Sequence, residues 1–276
     1  MARKPQPAPP STSWNLWPIL VRGVIGLILL AGGMFTFHRA ERFLITDSRF
    51  QLAPAPEYGV DPPGLNIEGV TRASRKAVLA TFANDFERSI YLMPLDKRRA
   101  DLLKIEWIRE ATIARFWPNQ VFVRIVERKP AAFYQEPAAK PDTKSRIWLI
   151  DEEGVLLHIP AQNTFRLPVV TGFRADAPIE ERSRRVLRML RLMKDVKNYG
   201  AKISEVDVSD MDNLKAIVQA PDNHAMVLWL GDKNFYNRME DFERSYLEIR
   251  RRLPGVSTLD MRLDGRISVV GGGKGE

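Results

Sequence analysis

The chain has 276 residues, of which 45% are hydrophobic and 28% charged, enough to bury a core and too apolar for a chain disordered throughout. It has no cysteine, which excludes disulfides, thiolate zinc sites, iron–sulfur clusters and thiol nucleophiles, and its three histidines (His38, His158, His224) leave little for a multi-histidine metal centre. A formal charge of +8 favours anionic partners: nucleic acid, lipid headgroups or an acidic protein.

Residues 1–13 are rich in Pro and Ala, carry Arg3 and Lys4 without an acid, and read as a disordered tail. Residues 14–37 are apolar apart from Arg22 and a few small polar side chains, close to the roughly 20 residues that cross a bilayer as a helix. Trp14 and Trp17 stand where rings prefer headgroup level, and Arg22 is near enough to that end to snorkel. The segment predicts a single uncleaved anchor. A signal peptide is the competing reading, but FTFHRAERF lacks a small-x-small cleavage site, and no polar face breaks Gly23–Phe37 as a soluble core helix requires. Arg3, Lys4 and Arg22 flank one end and Arg39, Arg42 and Arg49 the other, so charge alone leaves the orientation open. Residues 38–63, ending in a Pro-rich stretch, read as a linker.

Residues 64–133 have the pattern of a compact α+β unit, strand-helix-helix-strand-strand. Leu65–Glu68 alternates as a strand; Ser74 caps a helix carrying Val78, Leu79, Phe82 and Phe86; a second helix runs from about Asp96 to Lys104. Ala111–Phe116 and Val121–Glu127 are strands about a Trp117-Pro118-Asn119 turn, where Pro fixes φ, Asn tolerates left-handed geometry and Trp117 is expected over the sheet edge.

Residues 134–270 read as a mixed β-sheet domain with two long helices. Ile147–Ile150 and Val155–Leu157 flank Asp151-Glu152-Glu153-Gly154 as a hairpin, and a helix begins near Pro178 with Val186, Met189, Leu190, Met193 and Val196 facing the core. Strands are expected at residues 203–208, 214–218 and 226–230. Phe235, Met239, Phe242, Tyr246, Ile249 and Leu253 mark the second helix. Residues 259–263 and 266–270 close the domain as a hairpin about Asp264-Gly265, the signal of a type I′ turn, and 271–276 form a loose tail.

The order of these parts resembles the bacterial cell-division family FtsQ, called DivIB in Gram-positive bacteria. The resemblance rests on Ala114-Arg115-Phe116-Trp117-Pro118-Asn119 and on the strand closing with Glu127-Arg128-x-Pro130. It rests also on Leu149-Ile150-Asp151-x-x-Gly154, Leu167-Pro168-Val169-Val170-x-Gly172 and Leu259-Asp260-Met261-Arg262-Leu263. It spans Trp14 to Val270 and implies a cytoplasmic N-terminus, one inner-membrane helix, and a POTRA domain and β domain in the periplasm at the division septum. It implies a non-enzymatic divisome scaffold essential for septum formation, which recruits FtsB, and through it FtsL, by adding a partner strand to the edge of the last hairpin. The residues so implicated are Asp260, Arg262, Leu263, Gly265, Arg266, Ser268 and Val269, with Arg262 able to pair with a partner's acid. The family often has an aromatic residue where this chain has Leu263, so the anchor contact is expected to be smaller or to lie elsewhere. The POTRA-like domain is a second expected contact for other divisome components.

Chemistry is not legible. Asp207, Asp210 and Asp212 lack the glycine and distal glutamate of a calcium loop, and Gly271-Gly272-Gly273-Lys274 has no helix after it to hold a phosphate. No serine elbow or histidine triad context occurs, and Glu152 and Glu153, as strand neighbours, would point apart. Arg184, Arg188 and Arg191 share a helical face, with Arg182 and Arg185 nearby, which suits a solvated or partner-facing surface better than DNA binding, since no stacking aromatics interleave. The expectation is therefore no catalytic residue, no metal, no cofactor, no nucleic acid and no small-molecule substrate. The alternatives are a POTRA-bearing translocation or outer-membrane assembly component, disfavoured by the long amphipathic helices after Pro130, and a cell-wall regulatory protein or hydrolase.

Overall fold

The computed structural model describes residues 17–55, 62–136, 146–161, 163–199 and 202–270. The N-terminal tail with Trp14, part of the Pro-rich stretch and the Gly-rich C-terminal tail lie outside the described residues.

Helix α1 (Trp17–Thr46) is 30 residues long and, from Leu20 on, apolar enough to cross a membrane; none of that span is buried within the chain. It does not end at Phe37, where the apolar run does. Nothing in residues 38–46 breaks a helix, and the stop comes at Asp47, whose carboxylate accepts from the Arg49 backbone N–H and starts a 3-10 turn over Ser48–Phe50. The region read as a linker therefore begins as helix. Its continuation is also held: Leu52 is buried, its N–H donates to Arg88 O and its carbonyl accepts from Glu87 N.

Eleven α-helices and strands lie between α1 and β9. They are β1 (Leu65–Glu68), α2 (Arg75–Ala80), α3 (Leu95–Leu102), β2 (Ile108–Phe116), β3 (Gln120–Glu127), β4 (Pro130–Gln135), β5 (Ile147–Asp151), β6 (Leu156–Leu157), β7 (Val169–Thr171), α4 (Ile179–Asp195) and β8 (Ile203–Asp207). After these come β9 (Leu214–Gln219), β10 (Ala225–Gly231), α5 (Phe235–Arg252), β11 (Thr258–Asp260) and β12 (Ser268–Val269). The strands form a three-stranded sheet, β1-β3-β2, and a nine-stranded sheet, β12-β11-β10-β9-β8-β7-β4-β5-β6. Strand β4 belongs to the larger sheet and straddles the boundary drawn from sequence at 133/134. The architecture is α+β, as the sequence pattern predicts.

By its contacts the chain divides into two compact units. One holds the described part of Met1–Asn66 with Phe82–Leu95 and Ile113–Val123; the other holds Ile67–Thr81, Asp96–Thr112 and Arg124 onward.

In the first unit, Ser89 fastens the end of α1: its hydroxyl donates to Leu44 O at 2.6 Å while accepting from Tyr91 N, and Gln51 bridges to Ser89. The turn after β2 carries a cis Trp117–Pro118 peptide, and Asn119 is not left-handed. The Trp117 ring meets Phe50 edge-on at 5.6 Å and remains half-exposed. Arg115 donates to Met93 O, which ties β2 to the loop before α3.

The second unit holds the larger sheet. Two β-α-β crossovers, β7-α4-β8 and β10-α5-β11, account for two of its three parallel pairings, since parallel neighbours need a long return. The helices bring Val186, Met189, Leu192, Phe235, Met239, Phe242 and Tyr246 into one core with Leu214, Ala216, Val218, Met226, Leu228 and Leu230. The opposite sheet face is half-exposed, which gives β9 and β10 their alternation.

Three motifs read from sequence have structural duties in this unit. The Glu127 carboxylate accepts from the backbone N–H groups of Thr71, Arg72 and Ala73 at 2.7, 2.7 and 2.8 Å, an anion nest just before the Ser74 cap of α2. Burial pushes the Glu127 carboxyl up, but those three donors outweigh it and hold the group below the usual glutamate range. Arg128 binds Asp151 at 2.8 Å and Glu153 at 2.5 Å. Gly172 has φ +96°, and a Cβ there would fall 2.3 Å from Ser209 N, so the motif's glycine is required by a close backbone approach.

Glu152 and Glu153 sit in the turn of the hairpin read from sequence, and both reach Arg109, at 3.5 and 2.8 Å. Two other sequence readings differ from the structure. The six-residue α2 ends before Phe82, so Phe82 and Phe86 belong to the turns that follow it. The arginines of α4 are not one solvated face. Arg182 donates to Ala175 O, Arg185 to Gly172, Val208 and Ser209 carbonyls, and Arg188 to Met211 and Asp232 carbonyls, leaving only Arg184 and Arg191 of this set exposed.

Candidate partner-binding site

All seven residues that the resemblance implicates stand on one feature, the hairpin β11–β12 with its connecting loop. Strand β11 lies parallel to β10, and β12 pairs antiparallel outside it, with Leu259 opposite Val269 and Asp260 opposite Ser268. Strand β12 ends the sheet order, so its outer edge has no neighbouring strand among the described residues. The Val270 N–H donates inward to Thr258 O. By strand alternation, the N–H of Val269 turns outward and is free to receive a further strand.

The side chains divide by exposure. Leu259 and Met261 are buried in the core, whereas Leu263 is 63% and Val269 44% exposed. Two aliphatic side chains thus flank an open main-chain edge. That combination gives β-augmentation both its hydrogen bonds and its side-chain selectivity.

The loop is wider than a two-residue hairpin. Regular pairing stops at Asp260 and resumes at Ser268, because a narrower turn sits inside: Arg266 N donates to Leu263 O, with Gly265 left-handed at φ +70° and Asp264 not. A left-handed third residue is the mark of a type II turn, whereas type I′ needs both central residues left-handed. Gly265 faces open space, so it answers the turn and not a contact.

Charge is arranged within the hairpin. Asp260 takes Arg262 in a fork, with Arg262 Nε at 2.9 and 3.0 Å from the two carboxylate oxygens and Nη2 at 2.5 Å, and the Arg262 backbone N–H also donates to Asp260 at 3.0 Å. Arg262 lies over the Trp229 ring, 4.9 Å from its centroid. Its hydrogen bond to Asp260 holds the carboxyl below the usual aspartate range. Arg262 therefore already has an acid of its own and presents a neutralised pair to the edge.

Three residues that pattern reading missed support the loop from beneath. Arg238 on α5, 3% exposed, donates to Leu230 O, to Arg262 O at 2.7 Å and to the Asp264 carboxylate at 3.1 and 2.9 Å. Asn234, left-handed at φ 56° and just ahead of α5, donates from its side-chain amide to Asp264 at 2.7 Å rather than capping the helix. Trp229 on β10 supplies the face on which Arg262 rests. The only sequence signal for Arg238 was an arginine at a core-facing helical position beside Met239 and Phe235.

The comparisons agree with this architecture. Residues 64–128 match the POTRA domain, FtsQ-type. Among curated proteins, the chain is 30% identical over 250 residues to the cell division protein FtsQ of Koribacter versatilis, covering 88% of this chain and 67% of that protein. It is 24% identical over 215 residues to the FtsQ of Novosphingobium aromaticivorans, covering 77% and 62%, and 29% identical over 106 residues to that of Rickettsia typhi, covering 38% and 37%. With a POTRA domain of FtsQ type and 30% identity to a cell division protein FtsQ over 88% of its length, the chain belongs to the FtsQ family of cell-division proteins.

Proposed function

We propose that the protein is a non-enzymatic scaffold of the division septum that binds its partner by adding a strand to the outer edge of β12. The observation that carries this reading is the open β12 edge with Leu263 and Val269 exposed beside it. The partners are small single-pass septal membrane proteins of the FtsB and FtsL kind, reached from a chain whose N-terminus is cytoplasmic, whose α1 crosses the inner membrane and whose bulk is periplasmic. Partner charge contributes less than main-chain pairing, because Arg262 is already satisfied by Asp260. The POTRA domain offers a second contact to other divisome components.

The test exploits strand alternation. Val269→Pro removes the outward N–H and leaves the inward donor at Val270 in place. It should abolish co-purification of septal membrane proteins with the full chain from its native host while the protein stays folded. Val269→Thr, which keeps the N–H and β-branching, should retain it. Retention in the proline variant would reject strand addition at this edge.

A further inference from the structure

Helix α1 passes the end of its apolar run without stopping, and what it carries there is specific. From Trp17 to Phe37 the helix climbs about 30 Å at 1.5 Å per residue, the thickness of a bilayer's hydrocarbon core. The next turns hold Arg39 and Arg42, both exposed, and then Phe43, about 9 Å of helix beyond Phe37. The headgroup layer on each side of the core is roughly 5–8 Å deep, so Phe43 emerges at its outer margin, and helix tilt brings it deeper.

Other rings are fixed to Phe43 within the same compact unit. Phe50 meets it edge-on at 5.5 Å, and Trp117, from the turn after β2, meets Phe50 edge-on at 5.6 Å. These rings are not a core. Phe43 is 48% exposed and Trp117 53%; Phe116, next to Trp117 in the chain, is 54% exposed and packs edge-on against Phe122 at 4.7 Å. A single exposed aromatic calls for no explanation, but a contiguous file at the foot of a membrane helix does.

We propose that Phe43, Phe50, Trp117 and Phe116, with Arg39 and Arg42, form a collar that rests on the anionic headgroup surface of the bilayer that α1 crosses. The occupant is lipid because the file continues the surface of a helix already embedded in it. The amphipathic Trp117 ring favours that depth, the phenylalanine rings add apolar contact beside it, and the two guanidinium groups match phosphate oxygens. The collar sets the Trp117-Pro118-Asn119 turn at the membrane surface. The inference rests on α1 spanning the bilayer.

The test uses the full chain in nanodiscs of phosphatidylcholine and phosphatidylglycerol whose acyl chains are brominated near the carbonyl end, where bromine quenches tryptophan on contact. Of the described tryptophans, Trp17 and Trp117 then lie at headgroup depth. Trp117→Phe, which keeps an aromatic ring against Phe50, should remove a large share of the bromine-quenched emission. Phe116→Trp should add a component of similar size. If Trp17→Phe lowers the quenching while both collar variants leave it unchanged, the helix is inserted and the collar is not on lipid, which overturns the proposal. If none of the variants alters it, the membrane reading of α1 falls as well.

Discussion

Replacing Arg238 by Met keeps the buried stem and removes the guanidinium that binds the terminal hairpin to α5. The lost interactions are the bonds to Leu230 O and Arg262 O and the fork to Asp264. A hydrogen bond from a charged donor is worth about 1.5–3 kcal/mol, and a carbonyl left without its partner costs about 1–3 kcal/mol. The Asp264 side chain is 59% exposed, so water takes over most of what that ion pair contributes. The expected cost is then about 2–4 kcal/mol, concentrated in residues 258–270 and not in the core. Hydrogen exchange by mass spectrometry on the full chain reads this directly. Because 1.4 kcal/mol is a factor of ten, amides of the hairpin should exchange roughly thirty-fold to several hundred-fold faster, while β8, β9 and β10 change little. Asp264→Asn should have an effect below about tenfold, since its carboxylate is mostly solvated. Exchange in 258–270 within a few-fold of wild type in Arg238→Met would refute the view that this side chain holds the candidate edge in shape.

Other outcomes follow from the same contacts. Glu127 has a depressed pKa in the folded protein, so its contribution is present above the unfolded value and lost as pH falls through the folded one; Glu127→Gln should flatten the acid limb of a Tm-against-pH curve and lower stability at pH 7 by about 1–3 kcal/mol. Tyr246, half of a phenol–carboxylate bond with Asp222, is pushed up to about 12 by burial and by that bond, and burial pushes Tyr134 up to about 12 as well, so a spectrophotometric titration should find at least two of the six tyrosines still protonated near pH 11. The same bond lowers Asp222 to about 2, so its contribution is lost as pH falls from the ordinary aspartate value towards that point, and Tyr246→Phe should flatten the acid limb of the stability curve over that window. Gly172→Ala puts a Cβ against the backbone of Ser209 at a left-handed residue, and about 2–4 kcal/mol of destabilisation is expected in chemical denaturation.

Periodicity carried the sequence reading a long way because most elements have one buried face. The 3.6-residue stripes of α4 and α5 and the alternation of β3 and β9 mark the core side chains where the structure buries them. The order of the motifs located the family and the last hairpin. Long-range polar contacts left no such trace. Glu127 is 54 residues or more from the amides it accepts, and Arg238 reaches loop residues 24 and 26 positions away; spacing along the chain encodes neither. The arginines of α4 illustrate the opposite failure. They have the pattern of a basic face, yet Arg182, Arg185 and Arg188 bend back to the carbonyls of neighbouring loops, because long side chains can leave the face their Cα occupies. The Asp264-Gly265 pair announced a turn correctly and its type wrongly, since only Gly265 is left-handed and the buried Arg238 holds Asp264 from below. The length of α1 was missed because hydropathy ends at Phe37 while helix geometry continues to the Asp47 stop.

Photocrosslinking tests the central claim most directly. A photoreactive residue placed at Leu263 and, separately, at Val269 in the native host reports what lies against the open edge. Capture of the same small single-pass septal protein at both positions, lost when Val269→Pro is added to the Leu263 probe, is the result that strand addition predicts. Septal localisation with nothing captured at either position would contradict the terminal edge as the binding site.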